Sequence, residues 1–261
     1  MIKKIKICLA SLILGSITSF SLPPYNLIFL NFITFPMFFL IFVNNYKLSK
    51  FVAFIIGWSF GFGYFVSSLY WITNSLTFDE SYKNLIPFAI ILIPLFIGMF
   101  YGLWTLICSS FKIQKDDISS ILIFVTSLSA VEFLRGTILG GFPWNLIAYS
   151  WLKHTAFLQI LSFVGTYSLN LLSITIFLIP LIFIINKNKN TKIILITASI
   201  SLILINYFYG INSITNFNKN SIKKLETNIK IISPRIEINK FVYENSINLI
   251  AQEIIKLSDP N

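Results

Sequence analysis

Glu132 and Arg135 are the residues whose types and spacing most invite a chemical reading. They are an acid and a base three positions apart in an otherwise apolar stretch, Val131-Glu132-Phe133-Leu134-Arg135-Gly136. On a helix that spacing puts both on one face, within reach of each other. An ionised group near the middle of a bilayer costs roughly 2.5–3.5 kcal/mol on insertion scales, so such residues usually face a protein interior or a wet cavity. Just downstream, Gly140-Gly141-Phe142-Pro143-Trp144-Asn145-Leu146 combines three residue types. Glycines free the backbone, a proline stops a helix, and a tryptophan suits a membrane interface. Two readings fit the pair. It faces inward and serves a site, or Arg135 snorkels to the headgroups while Glu132 hydrogen-bonds a neighbouring helix.

Other chemistry is sparse. His154 is the one histidine, and no Cys, His or acidic spacing resembles a metal-ligand set, so neither metal nor cofactor is expected. A Ser/His/Asp arrangement would need a better-placed histidine, and the glycines at 136, 140 and 141 lack the strand-to-helix setting of a phosphate loop. Cys8 and Cys108 lie in or beside apolar runs and read as small buried hydrophobes. In the C-terminal tail, Glu237, Lys240, Glu244 and Glu253 read as a solvated face.

The elements that must position these residues are membrane helices. Of 261 residues, 56% are hydrophobic and 11% charged, whereas a soluble domain carries about 25% charged residues. Apolar runs cover about 7–22, 27–43, 51–72, 85–111, 118–134, 156–185 and 193–209. Each approaches the roughly 20 residues that cross about 30 Å of hydrocarbon. The fold class expected is therefore an all-α polytopic membrane protein of about seven transmembrane helices over residues 1–210. The first run also looks like a signal peptide; retention is favoured, since a second apolar run follows at once. Gly57 and Gly61 make a small-xxx-small face for close helix packing. Gly165 and Pro180 suggest a kink in the sixth run.

The net charge of +10 is distributed as a topology signal rather than a nucleic-acid surface. With the N-terminus inside, the inner segments hold ten basic residues (Lys3, Lys4, Lys6, Lys47, Lys50, Lys112, Lys115, Lys187, Lys189, Lys192). The outer ones before the tail hold three, Lys83, Arg135 and Lys153. The tail then lies outside. Within it, 211–226 reads as an Asn- and Lys-rich linker, and 228–233 alternates like a strand ending at Pro234. Val242 to Leu257 has the apolar spacing of an amphipathic helix. One strand and one helix cannot make a stable core, so 227–261 is expected to be the start of a larger, truncated α/β domain.

The chain resembles the apolipoprotein N-acyltransferase family, bacterial inner-membrane enzymes that add the third acyl chain to lipoproteins. The resemblance is carried by Leu22-Pro23-Pro24-Tyr25, Gly57 through Gly63 with Tyr70-Trp71-Ile72, and Gln159 with Gly165-Thr166-Tyr167-Ser168. Above all it is carried by Glu132-Phe133-Leu134-Arg135-Gly136 followed by Gly141-Phe142-Pro143-Trp144. Ile229 to Phe241 looks like the first strand and loop of the family's nitrilase-like domain, although Ser233 and Arg235 depart from its usual Gln and Asn. The resemblance implies an outward, periplasmic tail and a relay using Glu as general base, Lys for the oxyanion and Cys as nucleophile. It passes an acyl chain from a phospholipid through a thioester to a lipoprotein amine. Those groups are expected beyond residue 261, so catalytic residues are expected to be none here.

The membrane part is expected to be inactive alone yet to hold lipid in a groove built from Glu132, Arg135, Gly141, Phe142, Pro143, Trp144 and Trp71. Expected partners are a membrane phospholipid, a diacylated lipoprotein and a separately encoded C-terminal half, with no nucleic acid. The competing class is a small transporter or membrane scaffold without acyl chemistry, in which Glu132 and Arg135 line a pathway or fix the fold.

Overall fold

A computed structural model describes residues 2–219, 230–234, 236 and 246–258. The helices are α1 (Ile2–Ser19), α2 (Asn31–Asn45), α3 (Lys50–Ser68), α4 (Ile86–Cys108), α5 (Ile118–Thr137), the short α6 (Thr155–Leu158) and α7 (Leu161–Val164), α8 (Thr166–Phe177), the short α9 (Leu181–Ile184), α10 (Lys189–Lys219) and α11 (Ser246–Ser258). Among the described residues, six helical segments are long and apolar enough to cross a membrane: Ile28–Asn45, Lys50–Ser68, Glu80–Cys108, Ile118–Thr137, Thr166–Ile184 and Lys189–Lys219. Helix α1 is not one of the six. Lys3, Lys4 and Lys6 occupy its first turns and put three charges into its 18 residues.

Helix α3 is the hub, because small residues on two of its faces let backbones approach. A Cβ added at Gly63 would fall 2.1 Å from the Leu12 carbonyl oxygen of α1, and one at Gly15 of α1 would fall 1.9 Å from that of Phe60. The two notches are reciprocal, so α1 lies directly along α3. On the other face, Gly57 and Gly61 meet Tyr101 and Thr105 of α4, and Thr105 Oγ1 donates to the Ala53 carbonyl at 2.8 Å. Close approach, rather than hydrophobicity, drives helix association where the solvent is itself apolar.

Between these helices lies an aromatic core. Phe38, Phe60, Tyr101, Trp104 and Phe124 are all fully buried. The Trp104 and Phe124 rings sit 4.4 Å apart, and the Trp104 indole N–H donates to the Phe124 carbonyl at 2.8 Å. The Pro23–Asn26 turn joins α1 to α2: Asn26 takes a positive φ of 56°, and the Leu27 N–H returns to the Phe20 carbonyl at 3.0 Å.

Three expectations change. The apolar run 156–185 is a broken path, α6 to α9, because Gly165 takes φ +77° between α7 and α8 and Pro180 starts α9 after a turn. The linker expected from residue 211 is helical through Lys219, as a continuation of α10; its remainder lies outside the described residues. No strand is present at Lys230–Pro234, while Asn228, Ile229, Glu237, Lys240 and Glu244 lie outside the described residues. The C-terminal amphipathic helix is present as α11, with Ile250 buried and Ile247 and Leu249 exposed; 242–245 lie outside.

Candidate functional site

The site is built from the C-terminal end of α5 and the loop that follows. Helix α5 starts where the Asp117 carboxylate accepts the Ser119 N–H at 3.2 Å, satisfying one of its open donors. It ends at Thr137, so Glu132 and Arg135 lie in its last two turns. Both are buried, each with 1% of its surface exposed, and the Arg135 Nη2 donates to Glu132 Oε2. Neither snorkels. The pair faces the protein interior.

Arg135 does more than neutralise Glu132. Its Nη1 donates to the carbonyl oxygens of Phe142 and of Trp144, the second at 3.0 Å, and its guanidinium carbon lies 5.2 Å from the centre of the Phe65 ring. The planar fork of donors suits arginine to holding several acceptors at once. The loop presents those carbonyls because Leu139, Gly140 and Gly141 all take positive φ (55°, 84° and 74°) and fold the chain back. Two backbone bonds close the turn, Gly141 N–H to the Ile138 carbonyl at 2.8 Å and Phe142 N–H to the Arg135 carbonyl at 2.9 Å. Glycine supplies this geometry at little steric cost.

Asn145 ties the loop to α3. It takes φ 56°, its Nδ2 donates to the Ser68 carbonyl at 3.0 Å, and its own carbonyl accepts from the Tyr64 hydroxyl at 2.9 Å. Trp144 is thereby carried to Trp71, just beyond α3. The two indoles meet edge to face, with ring centres 5.6 Å apart. Tyr101 is fully buried on α4, and neither its hydroxyl nor Glu132 Oε1 has a hydrogen-bond partner among the described residues. The residues after the loop are fixed to α8: Asn170 Oδ1 accepts the Ala148 N–H at 3.0 Å, and the Trp151 indole donates to Ser173 at 3.0 Å.

A cavity of about 260 Å³ opens between the ends of α1 and α3 and this loop, lined among others by Pro24, Ser68, Trp71, Trp144, Asn145 and Tyr149. Of the seven residues expected to form a groove, Trp71 and Trp144 line the cavity. Glu132 and Arg135 lie behind it as supports, Gly141 shapes the turn, Phe142 packs on the core, and Pro143 is exposed. Burial raises the Tyr149 phenol above its ordinary range, with Tyr167 adding to the effect, so it remains a neutral hydroxyl, donating to the Pro143 carbonyl at 3.4 Å.

Sequence reasoning did not single out Ser68, Tyr64 or Tyr101. The available signal was a hydroxyl or phenol in an apolar span, which usually marks a tertiary hydrogen bond. Cys108 is buried in the α4 packing and Cys8 sits on α1, and neither lines the cavity. Among the described residues, no group of three or more metal-type side chains comes together.

Comparison with known proteins places this geometry. A family model described as the apolipoprotein N-acyltransferase N-terminal domain matches residues 14–179, which include the paired residues, the loop and the cavity. An apolipoprotein N-acyltransferase of Rhodopseudomonas palustris is 33% identical over 187 residues, 70% of this chain and 34% of the relative. One of Brucella melitensis is 29% identical over 182 residues, 66% of this chain and 34% of the relative. One of Sinorhizobium medicae is 32% identical over 144 residues, 55% and 27% respectively. The chain thus spans about a third of the length of the curated relatives it matches.

Proposed function

The chain belongs to the apolipoprotein N-acyltransferase family, and from that premise we propose that these residues form the lipid-holding membrane portion of a phospholipid-to-lipoprotein N-acyl transfer system. The observation that carries the reading is the cavity flanked by Trp71 and Trp144, whose loop is held from behind by Arg135. In this reading Glu132, Arg135, Gly141, Phe142 and Pro143 build the wall, while Trp71 and Trp144 face the lipid.

The setting is the bacterial inner membrane. Helix α1 crosses as a seventh span, the N-terminus is cytoplasmic, and the segment after α10 is periplasmic, as the ten-to-three distribution of basic residues supports. The segment from 227 onward belongs to a nitrilase-like fold. Acyl relay needs a thiolate nucleophile. Cys8 and Cys108, in α1 and α4, are poorly placed to supply it. It comes instead from other residues of the acyl-transfer machinery or from a separately encoded half, and the acyl acceptor is a diacylated lipoprotein.

The test is complementation of a strain depleted of its own apolipoprotein N-acyltransferase, read by mass spectrometry of lipoprotein N-termini. This chain by itself is expected to leave lipoproteins diacylated, while retaining co-purified phospholipid that Trp144→Ala releases. N-acylation by these residues alone, or purification without bound lipid, would overturn the reading.

A further inference from the structure

The end of the molecule away from the cavity gathers positive charge. Helix α3 runs from that end, at Lys50, to the cavity at Ser68, about 27 Å at about 1.5 Å per residue. Lys47 and Lys50 at the entry to α3, Lys112 and Lys115 between α4 and α5, and Lys187 and Lys189 at the entry to α10 are all exposed. Lys192, half-buried on α10, donates to the Phe183 carbonyl at 3.4 Å. The acids in these three connections are Asp116 and Asp117. Among the described residues, no salt bridge joins any of these lysines to a carboxylate.

The three connections form one surface. The Tyr46 hydroxyl donates to the Ile113 carbonyl at 3.1 Å, and the Asn186 N–H donates to Asp116 Oδ1 at 2.7 Å. The α4–α5 connection is thus tied on one side to the lysines before α3 and on the other to those before α10. Asp116 is engaged in that tie, and Asp117 caps α5, accepting from the Ser119 N–H and the Ser120 hydroxyl. Lysines gathered without counter-charges repel one another, so the surface favours an anion. Its apolar neighbours narrow the kind. Phe51 follows Lys50, Phe111 precedes Lys112, and Phe183 lies four residues before Lys187, and all three rings are exposed. An acidic peptide would satisfy the lysines and leave the rings without a partner. A phospholipid satisfies both, its phosphate among the ammonium groups and its chains along the phenylalanines.

We infer that this face is a docking surface for the headgroups of anionic phospholipids in the adjoining leaflet, with the three tied connections acting as one site. The inference goes beyond the lipid-holding function proposed above. The lipid bound here is a boundary ligand, held by its headgroup charge at the far end of α3 from the cavity, and it is not consumed. A zwitterionic headgroup carries its own cation and gains little from the same lysines.

The experiment titrates the full chain in mild detergent with phosphatidylglycerol or phosphatidylcholine of matched acyl chains and counts bound lipid by native mass spectrometry. Phosphatidylglycerol is expected to bind about tenfold more tightly, since each lysine near an anionic headgroup contributes up to about fivefold. Salt at about 1 M should bring the two lipids within about twofold of each other, because exposed charges are screened. Lys112→Gln/Lys115→Gln/Lys187→Gln should do the same without salt, whereas Lys153→Gln, at the cavity end, should leave the preference intact. Asp116→Ala removes a negative charge yet unties the connections, so it should weaken phosphatidylglycerol binding about threefold. Equal binding of the two lipids, a preference that survives the triple substitution, or unchanged or tighter binding by Asp116→Ala overturns the inference. Displacement of phosphatidylglycerol by a soluble polyglutamate peptide overturns it in favour of an acidic protein partner. The lipid and salt comparisons need no substitution, so they stand even if a variant fails to fold. Lipid retained at the cavity is read separately through Trp144→Ala, so the two readings fail independently.

Discussion

Arg135 reaches nine residues along the chain to the carbonyl oxygen of Trp144, 3.0 Å from its Nη1. A side chain on one helix thus sets the position of an indole in the loop that follows it. The same guanidinium neutralises Glu132, so the loop's placement and the tolerance of a buried carboxylate depend on a single residue.

Removing one member of the pair should therefore be worse than removing both. Arg135→Ala leaves Glu132 as an uncompensated buried charge and should cost about 3–5 kcal/mol. The double variant Glu132→Gln/Arg135→Met should lie closer to the unaltered chain than Arg135→Ala does. Equilibrium unfolding in mild detergent, read by tryptophan emission, checks the order. Arg135→Lys keeps the charge but loses the fork, and should fall between Arg135→Ala and the unaltered chain.

Asn145 combines a positive φ with a side-chain bond to Ser68, and two variants separate these contributions. Asn145→Gly keeps the backbone accessible and loses only the hydrogen bond, at a cost of about 1 kcal/mol. Asn145→Ala loses the bond and adds about 1–2 kcal/mol of left-handed strain. Chemical denaturation should rank alanine below glycine at this position. Equal stabilities would show that the backbone conformation contributes nothing.

Glycine positions should divide by environment. Gly15→Leu drives a side chain into the Phe60 carbonyl and should part α1 from α3, read as a large loss of stability to chemical denaturation in mild detergent. Gly140→Ala meets nothing within 4 Å but must hold φ +84°, so it should cost only about 1–2 kcal/mol and leave the helices packed. Loss of assembly in both variants would contradict this division.

Asp117, at the exposed start of α5, gives an acid dependence. Its bond from Ser120, aided by those from the Ser119 and Ser120 amides, holds its carboxyl below the usual carboxylate range. Because the folded value is depressed, its contribution is present above the unfolded value of about 3.9 and is lost as pH falls through the lower folded one. Asp117→Asn should flatten that part of the profile, as followed by thermal melting between about pH 5 and pH 2.

The pairing of Glu132 with Arg135 was legible because a three-residue spacing on a helix is a local property, and the glycines at 140 and 141 announced a turn. The other wall of the cavity was not. Ser68 and Tyr64 lie more than seventy positions from Asn145, and nothing in their neighbourhoods encodes that meeting. Continuous apolarity from 156 to 185 concealed the breaks at Gly165 and Pro180, since hydropathy is blind to a backbone dihedral. Conversely, the Asn and Lys residues after 210 suggested a loop, yet a helix already under way extends more readily than it begins.

That extension bears on whatever the chain carries past the bilayer. At about 1.5 Å per residue, the 31 residues of α10 measure about 46 Å, against about 30 Å of hydrocarbon. Standing upright, the helix exceeds the hydrocarbon by about 16 Å, shared between its polar ends at 189–192 and beyond Gly210. Its footing is narrow: Gly210 rests on the Ala156 carbonyl, and Asn206 Nδ2 donates to that of Phe157 at 3.3 Å. A slight shift of residues 156–157 is therefore carried along α10 toward its end at Lys219.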